Sequence, residues 1–206
     1  MERVIVYIDG FNLYFGLRER GLRRFYWLDV RAMSEALLKP QQTLAHVHYF
    51  TSRVSPSPGD PGQDRRQSTY LDALATLPDT TLHFGHYLSK TVTCRHCGNQ
   101  WQKPEEKMTD VNIAVEMLAD AHQDLFDTAL LVTGDSDLNA PVAKIRQIYP
   151  NKRVVSVFPP KRVSQRLKQT ANAFFSLSDN TIRQSQLPNP VVGAIGINLP
   201  KPKEWQ

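Results

Sequence analysis

Asp9 stands directly behind an apolar run, RVIVYI at 3–8, and opens the tetrad Asp9-Gly10-Phe11-Asn12. A second apolar run, LLV at 130–132, leads into Thr133-Gly134-Asp135-Ser136-Asp137. Asp110 follows Thr109 at the head of a third apolar-rich stretch. Four carboxylates gathered in one cleft repel each other strongly at low dielectric. A hard divalent cation relieves that repulsion, and Mg²⁺ or Mn²⁺ takes oxygen ligands. A cation so held makes water nucleophilic and neutralises a scissile phosphate, which is what phosphodiester hydrolysis needs. In that chemistry Asp9, Asp135 and Asp137 are direct or water-bridged ligands. Asp110 is a ligand or positions the attacking water. Asn12 orients a carboxylate or a phosphate, and Thr133 and Ser136 offer hydroxyls at the same strand end. Each acid also has a plainer use. Asp9 and Asp137 can cap helices, and Asp110 can be ordinary first-turn charge.

The elements that must position these residues alternate. Strands are expected at 3–8, 45–54, 81–88, 127–133 and 153–158. Helices are expected at 11–20, 29–38, 65–76, 109–122, 138–149 and 164–173. Gly21 is a helix stop, Asp29 a helix cap, and the segment SPSPGDPGQD at 55–64 a surface loop. Alternation of strand and helix to about residue 175 predicts a three-layer α/β/α domain with a mostly parallel sheet. In such sheets the working crevice lies at the carboxyl ends of the strands, where Asp9 and Asp135 fall. The domain is expected over 1–180. Residues 89–107 read as an irregular, cysteine-containing insertion loop, and 181–206 as an extended C-terminal tail.

The chain has 206 residues, 41% of them hydrophobic, enough for a core and too many for a wholly disordered chain. No apolar run reaches the roughly 18 to 20 residues of a membrane span, and Asp9 interrupts the first run before a signal-peptide core can form. A cytoplasmic location and no membrane partner are therefore expected. Lys and Arg number 25 against 20 Asp and Glu. The last quarter, 151–206, has nine basic and two acidic side chains, a balance of +7, while residues 1–150 balance at −2. A basic face can bind a polyanion through its phosphates. Lys161, Arg162, Arg166 and Lys168 form one basic run. Arg53, Lys90 and Lys107 fall at or after expected strand ends and are candidates for flanking phosphates, or are surface charge for solubility. Phe11, Tyr14 and Trp101 are candidates for stacking unpaired bases, or pack within the domain.

Cys94-Arg-His-Cys97-Gly98 has the spacing of half a zinc site. There is no second such pair. The other ligands of a structural zinc would come from His83, His86 or His96, or from a second subunit, which would make a homodimer. A metal-free loop and a redox pair are the alternatives.

Three motifs carry a resemblance. YIDGFNLY (7–14), KMTDVNIAVEML (107–118) and LLVTGDSDLNAPV (130–142) resemble, in this order, the NYN-domain family, a branch of the PIN-like nucleases. The similarity runs from residue 3 to about 176. It implies a PIN-like parallel sheet with an acidic, Mg²⁺- or Mn²⁺-dependent site that cleaves RNA. Asp9, Asp110, Asp135 and Asp137 match the family's acidic positions, and Asn12 its asparagine. The expectation is a metal-dependent endoribonuclease acting on single-stranded RNA, with an RNA-binding regulatory module as the alternative. An aspartyl-nucleophile phosphatase would want a second Asp at position 11, where Phe stands. No Gly-rich nucleotide loop follows the first strand.

Overall fold

The computed structural model describes residues 1–56, 59–193 and 196–206, with the backbone alone at 89 and 102–106. Its centre is a six-stranded sheet in the order β3-β2-β1-β6-β7-β8. The strands are β1 (Glu2–Asp9), β2 (Gln42–Thr51), β3 (Thr80–Phe84), β6 (Thr128–Val132), β7 (Arg153–Phe158) and β8 (Ala173–Ser176). Every pairing among them is parallel. Helices cover both faces, so the architecture is the three-layer α/β/α fold that the alternation predicts, consistent with the PIN-like sheet that the resemblance implies.

Both faces being covered explains the composition of β1. Val4, Val6 and Ile8 point into one core with α1 (Gly10–Glu19), α2 (Val30–Glu35) and α3 (Gln63–Leu74). Ile5 and Tyr7 point into the other, with α4 (Thr109–His122), α5 (Asn139–Ile148) and α6 (Gln165–Thr170). Successive residues face opposite sides of a strand, so a centrally placed strand has to be apolar throughout. Helix boundaries follow local chemistry. The Asp29 carboxylate accepts the Ala32 N–H at 2.8 Å to start α2, and Gly21, with φ +74, ends the first helix region.

In three places the structure departs from the sequence expectation. Residues 89–107 are not irregular. The strand expected over 81–88 breaks at Gly85, and the chain continues as an antiparallel hairpin of β4 (His86–Thr93) and β5 (Gln100–Lys107). β5, KPEEK at its end, has low strand propensity, so its pairing with β4 is what makes it a strand. The helix expected over 164–173 stops at Thr170 and gives way to β8, whose four residues are too few to show a period. Residues 181–206 are not an extended tail. They include much of α7 (Asp179–Gln184) and the short pair β9 (Val191–Val192) and β10 (Asn198–Leu199). Trp205, 8% exposed, returns to the core beside Tyr26, Trp27 and Tyr70. Ser57 and Pro58 of the expected 55–64 loop lie outside the described residues.

Candidate acidic site at the carboxyl edge of the sheet

β1 and β6 are neighbours, with Ile8 opposite Val132. Asp9 and Thr133 therefore leave the sheet side by side. The Asp9 carboxylate is 4% exposed. It accepts the Asn12 N–H at 2.9 Å, capping α1, and the Thr133 hydroxyl at 3.0 Å. Thr133 Oγ1 in turn accepts the Asp135 N–H at 3.1 Å. Asp135 accepts the Asp137 N–H at 2.9 Å, capping the short 3-10 turn Ser136–Leu138. Asn12 Oδ1 accepts the Gly134 N–H at 3.0 Å and so ties the two strand ends together. One hydrogen-bond network thus joins Asp9, Asn12, Thr133, Asp135 and Asp137. The plainer use of Asp9 is present, since it caps α1, and its carboxylate is buried as well.

Burial pushes the Asp9 pKa up to about 6, and the Asp135 charge adds to the rise, against the hydrogen bonds from Asn12 and Thr133. Backbone packing leaves no slack here. A Cβ on Gly10 would stand 2.7 Å from the Tyr49 ring and 2.8 Å from the Phe50 carbonyl oxygen. One on Gly134 would stand 2.8 Å from the Arg162 backbone. The loop after β7, with Lys161 and Arg162, is therefore pressed against the strand end that carries Asp135.

The remaining expected residues divide. Asp110 lies in the first turn of α4, half-buried, directly after Met108 and Thr109, and Met108 has φ +81. That left-handed conformation is strained for a non-glycine residue. α4 packs against β1 and against the Ser136–Leu138 turn. Among the described residues, however, no three of Asp9, Asp110, Asp135 and Asp137 bring carboxylate oxygens within 4.8 Å of one another. Ser136 and Asp137 are exposed. Thr133, expected to face substrate, is fully buried and its hydroxyl is used inside the network, so it braces the site instead. Arg53 lies 5.1 Å from the Phe84 ring centroid at the end of β2. Lys90 and Lys107 are exposed on the β4–β5 hairpin. Tyr87 of that hairpin meets Phe11 edge-on at 6.1 Å, which holds the hairpin over the start of α1. Tyr14 packs on Phe15 and Tyr26, and Trp101 is 47% exposed on the hairpin. From Gly10 a cleft of about 1010 Å³ runs along α1 and α3, with Phe11, Tyr14, Arg18, Arg66 and Tyr87 among its lining.

The cysteines sit in the hairpin turn. The Cys94 N–H donates to the Asn99 carbonyl and the Gly98 N–H to the Cys94 carbonyl. Backbone N–H groups of Cys97 and His96 point at the Cys94 sulfur and hold its pKa below the usual thiol value. His83, expected as a candidate ligand here, lies elsewhere. It joins His48 and Glu116 in the one group of three or more His, Cys, Asp or Glu side chains that come within ligand distance among the described residues. Sequence reading missed His48 and Glu116. Their only signal was the His-x-His pattern of β2 and an acid two turns into α4.

A parallel α/β domain with acids at two adjacent strand ends is a domain with an acidic crevice at the carboxyl edge of its sheet. The chain belongs to the NYN domain family, whose model matches residues 3–178. It is 28% identical to the 6-hydroxy-3-succinoylpyridine 3-monooxygenase HspA of Pseudomonas putida over 188 residues, 76% of this chain and 59% of that protein. The chain therefore spans well under two thirds of that relative's length. A crystal structure of a protein of unknown function from Vibrio parahaemolyticus shares the fold, with a TM-score of 0.55 and 21% identity over 87% of this chain and 94% of that one. No described helix is long and apolar enough to cross a membrane.

Proposed function

We propose that this protein is a metal-dependent endoribonuclease acting on single-stranded RNA in the cytoplasm. The observation that carries the reading is the buried Asp9 carboxylate, raised to about 6 beside Asp135 at the carboxyl edge of the sheet. A cation is the natural counterpart of two neighbouring carboxylates, one of them buried, and the oxygen-only donor set fits Mg²⁺ or Mn²⁺. Asp9 and Asp135 would hold it, with Asp110 and Asp137 as further direct or water-bridged ligands. When bound, the ion supplies charge neutralisation at the phosphate and lowers the pKa of water. The chain's own residues do the rest. Asn12 fixes the Gly134 backbone and Thr133 fixes the Asp9 carboxylate and the Asp135 backbone; Asp110, where it is not itself a ligand, would position the attacking water. Arg53, Lys90, Lys107 and Ser136 bind flanking phosphates, and the basic loop at Lys161 and Arg162 extends that track. Phe11 and Trp101 offer faces for unpaired bases.

Zinc at Cys94 and Cys97 belongs to the same proposal as a structural element, with a second copy's hairpin giving the other two ligands of a homodimer. The named relative supplies a different reading, oxidation of a small aromatic ring in the cleft beside α1. The acidic strand ends favour hydrolysis over it. A binding module without catalysis is the remaining alternative. Incubation of labelled single-stranded RNA with Mn²⁺ decides among them: wild type should cut internally and Asp135→Asn should not. Intact RNA with the wild type would overturn the proposal.

A further inference from the structure

Away from the acidic edge, on the face of the sheet covered by α4, β2 and β3 place His48 and His83 together. His48 Nδ1 and His83 Nε2 are 2.8 Å apart. Glu116, two turns into α4, sets its Oε1 3.6 Å from His83 Nδ1. One ligand atom from each of the three lies within 4.8 Å of the others. Behind them, Asp120 is one helical turn beyond Glu116 and shares its face. Asp120 Oδ2 lies 3.2 Å from His48 Nε2 and accepts the Tyr7 hydroxyl at 2.6 Å.

The proton count is compatible with a cation between the two rings. Asp120 accepts the His48 Nε2–H, which leaves His48 Nδ1 as a lone pair directed at His83 Nε2. A cation there would take the place of the hydrogen bond between the rings and be ligated by both nitrogens. The His83 proton would then sit on Nδ1, facing the Glu116 carboxylate. His48 is only 8% exposed. An imidazole whose far nitrogen is held by a buried carboxylate is the usual support of a metal-ligating histidine.

We infer that His48, His83 and Glu116 form a binding site for a zinc-class divalent cation, separate from the acidic crevice. Two imidazole nitrogens and one carboxylate suit Zn²⁺ or Co²⁺ and not Mg²⁺. With metal–nitrogen bonds of about 2.0–2.1 Å, tetrahedral ligation needs the two nitrogens about 3.3 Å apart. A small rotation of the half-buried His83 supplies the difference. The fourth position goes to water. Such an ion would pin β2 and β3 to α4, whose first turn carries Asp110. Glu116 lies six residues further on, about 9 Å along the axis. The site would therefore brace the helix that presents Asp110 without entering the crevice.

The test uses the full chain with Cys94→Ser and Cys97→Ser, so that thiolates do not contribute. Calorimetric titration with ZnCl₂, and with CoCl₂ read by visible absorption, should show one tight equivalent. His83→Gln and Glu116→Gln, both at half-buried positions, should each remove it while melting cooperatively. Asp120→Asn should weaken it by about ten- to a hundredfold. Asp135→Asn should leave it unchanged, which separates this site from the acidic one. Zinc should raise the melting temperature of the parent and not of His83→Gln. No uptake by the folded parent, or uptake unaltered by both His83→Gln and Glu116→Gln, overturns the inference.

Discussion

Replacing Asp9 with asparagine should stabilise the metal-free protein while abolishing metal-dependent cleavage. The Asp9 carboxyl moves from an ordinary value of 3.8 to about 6 in the folded state. Two pKa units correspond to about 3 kcal/mol. The sign follows from proton linkage: the native state holds the proton more tightly than the unfolded chain. Native stability is thus undiminished below pH 4, falls between pH 4 and 6, and carries the whole cost above 6. The amide of the Asp9→Asn variant would be neutral at every pH. It would keep the Asn12 N–H on its Oδ1, but its NH₂ would meet Thr133 Oγ1, and the Thr133 hydroxyl proton would lose its partner, costing about 1 kcal/mol. The net gain at pH 7.5 in EDTA is about 2 kcal/mol, or about 4–8 °C in melting temperature for a chain of this size. At pH 4 the gain should vanish. Saturating Mn²⁺ should reverse the order, because a ligand at a hundredfold its Kd stabilises the wild type by about 2.7 kcal/mol. Thermal melts across pH 4–8, with and without Mn²⁺, read all of this. A variant that melts below the wild type at pH 7.5 in EDTA, or a gap that ignores pH, would refute the account of Asp9 as a buried, uncompensated anion.

Replacing Lys161, Arg162, Arg166 and Lys168 together with Ala should flatten the slope of log RNA affinity against log salt by about 0.7 for each phosphate no longer held; an unchanged slope would make the run a solvated face. Trp205→Ala should cost about 3–5 kcal/mol, as for other large-to-small core changes, because the ring lies within 6.4 Å of three aromatic centroids. Denaturant unfolding measures that loss, and a near-neutral result would mean the C-terminal segment is not part of the cooperative core. If the Cys94 and Cys97 half-site is shared by two copies, the His83→Gln protein should contain about half a zinc per chain and chelation should dissociate a dimer; elemental analysis with light scattering reads both, and a zinc-free monomer would exclude it.

What could be read in the chain depended on contrast with the surroundings. β1 and β6 are covered on both faces, so their sequences are almost purely apolar and the acids that end them stand out. That contrast located Asp9, Asn12 and Asp135, and the alternation of elements located the parallel sheet. His48 had no such contrast. In β2 it sits in the alternating stretch AHVHYF, where a polar residue every second position reads as an outward face. Its burial is imposed by α4, an element far along the chain, whose Glu116 and Asp120 look like ordinary helix charge until the helix is laid on the sheet. The hairpin failed for a related reason. β5 has poor intrinsic preference for a strand and acquires it only from β4, through a turn set by Gly98 at φ +72. β8, β9 and β10 have four residues or fewer, too short for any period to register. Strand-end acids are therefore a local signal, visible one segment at a time. The His48–His83–Glu116 group is a product of packing between three segments, and only the assembled face of the sheet reveals it.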